Sequence, residues 1–288
     1  MKQIKVAGII RKSPSNKEQR ENSIQLQRRI IEKNGEKITY HDEFYSVARD
    51  GEHWIRLTDG CFRSCWNCYT PKEIKVYDLP EIKENKVRFL DQNFIHAHPK
   101  PLELIKSLPQ KLNGKVIRYM FYSGLDFTLF SQELLNAMKK ARVGRFNNEG
   151  NYINGLSIAW DRSIDEKEQI NKAIDMMLEA GYSRRGIQIR MLCNGKVSYS
   201  ECMDKLAFLF KKKVMIDDCW FNNQKRGSVK PIYWTTEECE AFGECCRANN
   251  VAVMQNQHKG LIRIFERLFK LLLPLEEKQE GGRLSSHA

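Results

Sequence analysis

Three observations predict an α/β protein built as a partial (β/α)6 TIM-like barrel with a parallel sheet. Short apolar runs typical of strands end at Leu57, Leu90, Phe121, Ala159, Leu192 and Ile216. Successive ends are 33, 31, 38, 33 and 24 residues apart, about the length of one βα unit. Amphipathic patterns fill the intervals, at residues 101–112, 131–143, 166–180 and 199–212. Alternation of this kind favours a parallel sheet with right-handed crossovers, and six units indicate an open, partial barrel.

The pattern over residues 166–180 illustrates how these helices are recognised. Ile170, Ala173, Ile174 and Met177 recur at the spacing of one helix face, so they predict a helix that packs on the sheet. Gly181 follows directly and is the residue type that most often ends a helix, because it adopts a positive φ without strain.

The first 37 residues differ from this core. They carry ten Lys and Arg against four Glu, which is half of the net charge of +12. A strand ending in Arg11, Lys12 and Ser13 resembles the start of serine recombinases, in which Ser13 would match the nucleophile and Arg11 an activating arginine. The stretch is too short for that catalytic domain and lacks its later arginines. We therefore interpret residues 1–37 as a basic βα appendage through which nucleic-acid contact is possible.

The core is predicted to span residues 38–256 and to be followed by a tail. Within residues 257–288, apolar residues from Leu261 to Leu275 form one face of a helix that we expect to pack on the barrel. The segment after Pro274 is expected to be disordered.

Composition narrows the class of protein. The chain has no run of eighteen apolar residues and no charged-then-apolar leader, so we expect no membrane association and no export. Nine cysteines in 288 residues do not resemble a secreted disulfide framework. We expect a cytoplasmic protein.

The most specific motif is a cysteine triplet. Cys61, Cys65 and Cys68 follow an apolar run, with three residues between the first pair and two between the second. Three thiolates in one short loop are able to hold three corners of an iron–sulfur cluster and leave one iron for an outside ligand. A structural zinc site requires four ligands, and no further Cys or His lies within a few residues, so zinc is the less favoured alternative.

Polar residues follow the predicted strand ends. Asn93, Asp126 and Asp161 come shortly after the second, third and fourth strands. Because the carboxyl ends of parallel strands share one edge, we expect these side chains to face the cysteine loop. The alternative is that Asp and Asn are simply common at turns and helix starts.

The cysteine triplet and the residues at the predicted strand ends together resemble those of the radical S-adenosylmethionine (radical SAM) superfamily, over about residues 40–256 of this chain. The cysteine spacing carries the resemblance, together with segments similar to those of the cobalamin-binding-like branch at residues 87–94, 123–127, 158–161 and 233–243. The family usually has an aromatic residue where this chain has Asn67, although Trp66 and Tyr69 flank that position.

The resemblance implies a 4Fe–4S cluster on the three cysteines, with S-adenosylmethionine (SAM) bound at the open iron. It also implies reductive cleavage of SAM by an electron donor such as a flavodoxin or a ferredoxin, and radical chemistry on a substrate. We expect Asn93, Asp126 and Asp161 to make polar contacts to SAM or substrate. No feature of the sequence identifies that substrate or a catalytic residue.

Two other interpretations remain open. A non-enzymatic protein would bind zinc through the cysteines and nucleic acid through the basic opening; a degenerate barrel would hold a cluster without turnover. An auxiliary cluster on Cys219, Cys239, Cys245 and Cys246 is a weaker hypothesis than buried thiols, because the adjacent pair points in different directions on a helix.

Overall fold

The computed structural model describes residues 46–49, 51–63, 65, 70, 72–147, 149–221, 223–225, 228–229 and 232–255. The predicted appendage at residues 1–37 and the predicted tail at residues 257–288 lie outside these ranges, as does Cys68.

The strands are short and are numbered here along the chain. They are β1 (Ser46–Arg49), β2 (Glu52–Ile55), β3 (Thr58–Asp59), β4 (Lys75–Val76), β5 (Lys86–Phe89), β6 (Lys111–Leu112), β7 (Lys115–Val116), β8 (Arg118–Phe121), β9 (Val143–Phe146), β10 (Tyr152–Ile153), β11 (Ser157–Ala159), β12 (Gln188–Cys193), β13 (Met215–Trp220), β14 (Asn223–Lys225) and β15 (Ser228–Val229).

The α-helices of the described ranges mostly follow the strands. They are α1 (Phe94–Ala97), α2 (Pro101–Ser107), α3 (Gln132–Lys140), α4 (Lys167–Glu179), α5 (Tyr199–Lys212) and α6 (Thr236–Gln255). None of these helices is long and apolar enough to cross a membrane.

A six-stranded sheet, called here the first sheet, has the order β1-β2-β5-β8-β9-β10. The four central strands are parallel, whereas β1 and β10 add to its edges as antiparallel hairpin partners. A second sheet is wholly parallel, in the order β11-β12-β13. The protein is therefore a mixed α/β structure with mostly parallel sheets, as the sequence predicts.

The two sheets meet along a seam that a single isolated bridge spans, between Leu125 and Ile158. Leu125 donates its N–H to the carbonyl of Ser157 at 2.9 Å. Close by, the chain before β11 crosses the chain before β12 so tightly that a Cβ on Gly155 would lie 1.9 Å from Gly186. Only glycine at both positions allows this approach. The described strands do not close into a barrel.

Most predicted helices form where the sequence places them. Helix α5 has the predicted bounds, and α4 differs by one residue at each end. Beyond α4, Gly181 has a φ of +86° and donates to Leu178, while Tyr182 donates to Met177. This pair of bonds is the Schellman arrangement, so the expected glycine stop is confirmed.

The prediction is wrong for the end of the helix at residues 101–112. Helix α2 ends at Ser107, and a hairpin of β6 and β7 follows. Asn113 and Gly114 both have positive φ at its turn, which is the turn chemistry of a two-residue hairpin. Pro109 also has no N–H with which to continue the helix.

Two strand predictions need correction as well. The strand expected to end at Ile216 continues to Trp220, because β13 pairs with β12 along its whole length. The sequence does not predict β9 and β10, because the amphipathic pattern at residues 131–143 runs through Val143; helix α3 instead ends at Lys140 and β9 begins at Val143.

The two faces of the sheets differ in chemistry. One face packs under the helices in a single apolar core that includes Ile55, Phe89, Phe121, Ile189 and Ile216. Because side chains alternate along a strand, the neighbouring residues point to the other face. This face, called here the polar face, carries Glu52, Arg88, Gln188, Arg190 and Asp217.

Candidate functional site

The cysteine loop begins directly after β3, which follows β2 of the first sheet and pairs with β4 in a separate two-stranded sheet. Cys61 is buried and Cys65 is half-buried, and neither forms a disulfide. Gly60 precedes Cys61 with a φ of +85°, and a Cβ there would lie 2.0 Å from the carbonyl oxygen of Glu73. Residue 60 must therefore be glycine for the loop to pack against the chain near β4.

Asp91, shortly after β5, fixes the entry to this loop. Its Oδ1 accepts hydrogen bonds from the N–H of Leu57 at 3.2 Å and from the N–H and Oγ1 of Thr58 at 2.5 and 2.7 Å. Its Oδ2 is buried without a hydrogen-bond partner. Burial raises the pKa of Asp91 to about 6 despite the bonds from Thr58 and Leu57.

Asn93 lies against the first cysteine. Its Nδ2 donates to the Sγ of Cys61 at 3.6 Å, within the range of a hydrogen bond to sulfur. Its Oδ1 is buried and has no hydrogen-bond partner, although Asn93 precedes helix α1 and would ordinarily cap it. The side chain is therefore oriented toward the thiol and not toward the helix.

Asp126 contacts the same loop through a residue between the cysteines. The Nη1 of Arg63 lies 2.9 Å from Asp126 Oδ1, and its Nη2 lies 4.0 Å from Glu166 Oε1. Asp126 also accepts bonds from the N–H and Oγ1 of Thr128, so it caps a 3-10 turn at residues 127–129. It has a structural role in addition to its ion pair.

Asp161 follows β11 and is surrounded by positive charge. Burial raises its pKa, and the N–H of Leu192 and the charges of Lys205, Arg63 and Arg190 oppose that rise. Lys205 is almost wholly buried, donates to the carbonyl of Arg162 and lies 5.2 Å from the ring centre of Trp160. Asn93 and Asp126 thus contact the cysteine loop, through Cys61 and Arg63, whereas Asp161 interacts with Arg63 only through its charge.

Sequence reasoning did not single out Asp91, Arg63 or Glu166 for this site. Asp91 shares the signal that identified Asn93, a polar residue directly after a strand. In the sequence, Arg63 resembles any solvent-exposed charged residue of a loop. Its ion-pair partner, Asp126, lies 63 positions later, so no local pattern indicates the pair. Glu166 lies in a short 3-10 turn at the start of a helix, a common place for an acidic residue.

The described thiols suit iron–sulfur ligation. An amide that donates to Cys61 would stabilise a thiolate, and hydrogen bonds to sulfur are one means by which proteins tune such clusters. Cys68 lies outside the described residues, as do Trp66, Asn67 and Tyr69. Among the residues that are described, no group of three or more Cys, His, Asp or Glu is arranged to hold a metal ion.

The cysteines considered for an auxiliary cluster pack in or near the apolar core. Cys239, Cys245 and Cys246 are buried on helix α6, and Cys219 is half-buried on β13. Burial raises the pKa of the Cys219 thiol to about 12 and that of the Cys245 thiol to about 11. Such thiols behave as small apolar side chains.

Comparison with known proteins adds no family to this description. No protein-family model matches the chain, and a search of curated proteins found no match.

Proposed function

We propose that this protein is a radical SAM enzyme that uses a 4Fe–4S cluster to cleave S-adenosylmethionine and start radical chemistry on a substrate. The observation that carries the proposal is the hydrogen bond from Asn93 to Cys61, which joins a predicted strand-end residue to a predicted cluster ligand. Asp126 supports it through Arg63 of the same loop.

The fold supports the same interpretation. One further parallel strand, β9, lies between β8 and β11 in the chain. The parallel strands β2, β5, β8, β11, β12 and β13 are the six that the sequence predicts, and the bridge from Leu125 to Ile158 joins the two sheets. We infer that they form one partial (β/α)6 barrel, whose reactive edge lies at the carboxyl ends of the strands.

In this proposal Cys61, Cys65 and Cys68 hold the cluster. When bound, the cluster and SAM supply the one-electron chemistry, with a flavodoxin or a ferredoxin as electron donor. The protein supplies position: Asp91 fixes the strand end that leads into the loop, and Asn93 donates a hydrogen bond to the first ligand.

The charged residues around the loop would bind the polar groups of SAM or substrate. Arg63 offers a guanidinium whose present partners are Asp126 and Glu166, and Asp161 offers a carboxyl group close to Arg63 and Lys205. Their low exposure reduces competition from water, so each contact to a ligand is stronger than it would be at the surface.

Anaerobic reconstitution tests the proposal. We expect about four iron and four sulfide per chain, and release of 5′-deoxyadenosine from SAM after reduction. Cys65→Ala should lose both. Cys219→Ala is the matched control, because it removes a half-buried thiol outside the loop and should retain both. A Cys65→Ala protein that keeps the full cluster and cleaves SAM would refute the assignment.

A second candidate is a zinc- and nucleic-acid-binding protein without catalysis. The charge of residues 1–37, ten Lys and Arg against four Glu, favours it. Metal analysis of anaerobically purified protein separates the two candidates, because iron with sulfide supports the enzyme and one tightly bound zinc supports the binding protein.

A further inference from the structure

Arg145 is a nearly buried arginine that crosses the seam between the sheets. It lies on β9, has a relative exposure of 9%, and donates from Nε to the carbonyl of Gly186 at 2.8 Å. Its Nη1 donates to Gln188 Oε1 at 2.5 Å. Two neutral oxygens therefore hold the guanidinium in one orientation.

No carboxylate in the described part of the chain lies within ion-pair distance of Arg145. Arg88 on the polar face shows the alternative, because its Nε and Nη2 bind Glu52 at 2.7 and 2.8 Å. Arg88 also lies between the rings of Trp54 and Phe146. A direct ion pair neutralises the charge of Arg88, whereas Arg145 makes hydrogen bonds to neutral groups only and Asp217 acts on it from beyond ion-pair distance. Buried charges are ordinarily paired, so this arrangement calls for an explanation.

The Nη2 of Arg145 is available to a ligand. The two hydrogen bonds of Arg145 use Nε and Nη1, and Nη2 is not among the described buried atoms that lack a hydrogen-bond partner. Since no partner is found for Nη2 either, this edge of the guanidinium retains contact with solvent.

Arg190 lies on the same face of β12 as Gln188, the residue that accepts a hydrogen bond from Arg145, and two residues further along the strand. Its Nη1 donates to the carbonyl of Tyr122 at 2.6 Å, and its buried Nε lies 3.0 Å from Asp217 Oδ2. Its Nη2 has no hydrogen-bond partner among the described residues and is not one of the buried unpartnered atoms, so this nitrogen is the one that a ligand would reach. The Arg190 side chain is 23% exposed, so the group is reached from solvent. Burial and the charge of Arg190 lower the pKa of Arg145 to about 10, while Asp217 opposes that change.

We propose that Arg145 and Arg190 form a subsite for an anionic group of the substrate, a carboxylate or a phosphate. The inference rests on the proposed function, because the subsite would hold the substrate inside the partial barrel. Guanidinium N–H groups fixed at two neighbouring positions match the spaced oxygens of such anions. Trp160 donates its backbone N–H to the carbonyl of Arg190 at 2.8 Å, so the subsite adjoins Asp161, the next residue in the chain.

The subsite is tested by calorimetric titration of the full chain, without cluster or SAM, at constant ionic strength. Inorganic phosphate and succinate are the two probes, and saturable binding of either supports the proposal and identifies the class of anion. Arg145→Gln and Arg190→Gln should each weaken that binding about tenfold or more, since each removes a charge-assisted contact. Arg118→Gln is the matched control, because it removes an exposed arginine of β8 and should leave binding unchanged.

A measurement on the unaltered chain guards against variants that fail to fold. Phenylglyoxal modifies accessible arginines, and the bound anion should slow modification of Arg190 while leaving Arg118 unaffected. The proposal is overturned if neither probe binds saturably, or if Arg118→Gln weakens binding as much as Arg145→Gln does. Because no cluster or SAM is present in these assays, failure of the radical SAM proposal would leave their result intact.

Discussion

Asn93 and Asn194 occupy equivalent places in the two sheets and have opposite environments. Both are buried and follow a parallel strand closely. Asn194 Oδ1 accepts three backbone N–H groups, from Ile232, Tyr233 and Trp234, each at 3.1 Å. Asn93 Oδ1 accepts none, and its Nδ2 points at a cysteine thiol.

The cysteines near these asparagines differ in the same way. Cys61 lies in a loop beside the donor of Asn93, whereas Cys193 is the last residue of β12, has no exposed surface and carries a thiol pKa raised far above its usual value by burial. At the second sheet the polar groups stabilise the fold. At the first sheet they retain unused hydrogen-bonding capacity, which is costly for stability and therefore indicates function.

The largest expected difference is between Cys61→Ala and Cys193→Ala. Cys61→Ala should abolish iron binding and SAM cleavage, since it removes a proposed cluster ligand. Cys193→Ala should retain the cluster and lower the free energy of unfolding by about 1–2 kcal/mol, because it leaves a small cavity in the core. Iron analysis and urea denaturation measure the two effects. If Cys193→Ala lost its iron while Cys61→Ala retained it, the proposed difference between the two cysteines would be wrong.

A smaller contrast is expected between Asn194→Ala and Asn93→Ala. Asn194→Ala should lower the free energy of unfolding by about 3–4 kcal/mol, because three backbone amides lose their acceptor and alanine must adopt a φ of +55°. Asn93→Ala should lower the free energy of unfolding by less than about 1 kcal/mol. The variant loses one hydrogen bond to sulfur, but it also removes a buried oxygen that has no partner, and the two effects oppose each other.

Urea denaturation measures both costs. Asn194→Asp is the control, because it keeps the accepting oxygen and should retain most of the stability. In the reconstituted protein, Asn93→Ala should shift the cluster potential to a more negative value, since a hydrogen bond to a ligand sulfur is lost. Equal destabilisation by the two alanine variants would contradict the assignment of different roles.

The remaining expected effect is a pH dependence of folding stability at the first sheet. Burial raises the pKa of Asp91 from 3.8 to about 6, so the folded chain holds a proton that the unfolded chain loses between those values. Folding stability should therefore fall as the pH rises through this range, by at most about 3 kcal/mol above pH 7.

Asp91→Asn keeps the oxygen that accepts from Leu57 and Thr58 but cannot ionise. The variant should show a smaller loss of stability between about pH 4 and pH 7 than the unaltered chain. Asp78→Asn, at an exposed position, is the matched control and should keep the original pH dependence. If the unaltered chain and the Asp91→Asn variant had the same dependence of stability on pH, ionisation of Asp91 would not destabilise the fold.

The parts of the fold set by local signals were predictable from the sequence. Helix α5 was predicted with the bounds observed, because Ser198 caps its start and the apolar spacing runs without interruption. Strands β9 and β10 were missed, since Val143 continues the apolar spacing of the preceding helix and only pairing with β8 distinguishes the two outcomes. Pairing with a distant strand is tertiary information.

The same limit applies to the site. Asn93 and Asp126 were identified because each follows a strand, and Asn194 carries an identical signal with a structural role. The difference depends on backbone amides almost forty residues away, which no local pattern records. The sequence does not single out Arg145 or Arg190 for a related reason. Arg145 lies in a strand that the sequence does not predict. Arg190 alternates with apolar residues in β12, as any solvent-exposed side chain of a strand would.

The single bridge across the seam has a consequence for the order of folding. Within each sheet, every strand pairs with the strand of that sheet that precedes it in the chain. Each sheet is therefore assembled from pairings between consecutive strands, and the first is complete in sequence by Ile153, before the second begins at Ser157. During synthesis the first sheet is free to form while the second is still being made. The cysteine loop and its Asn93 contact belong to the part that emerges first, whereas Asp161 and Arg190 join them only when the second sheet docks.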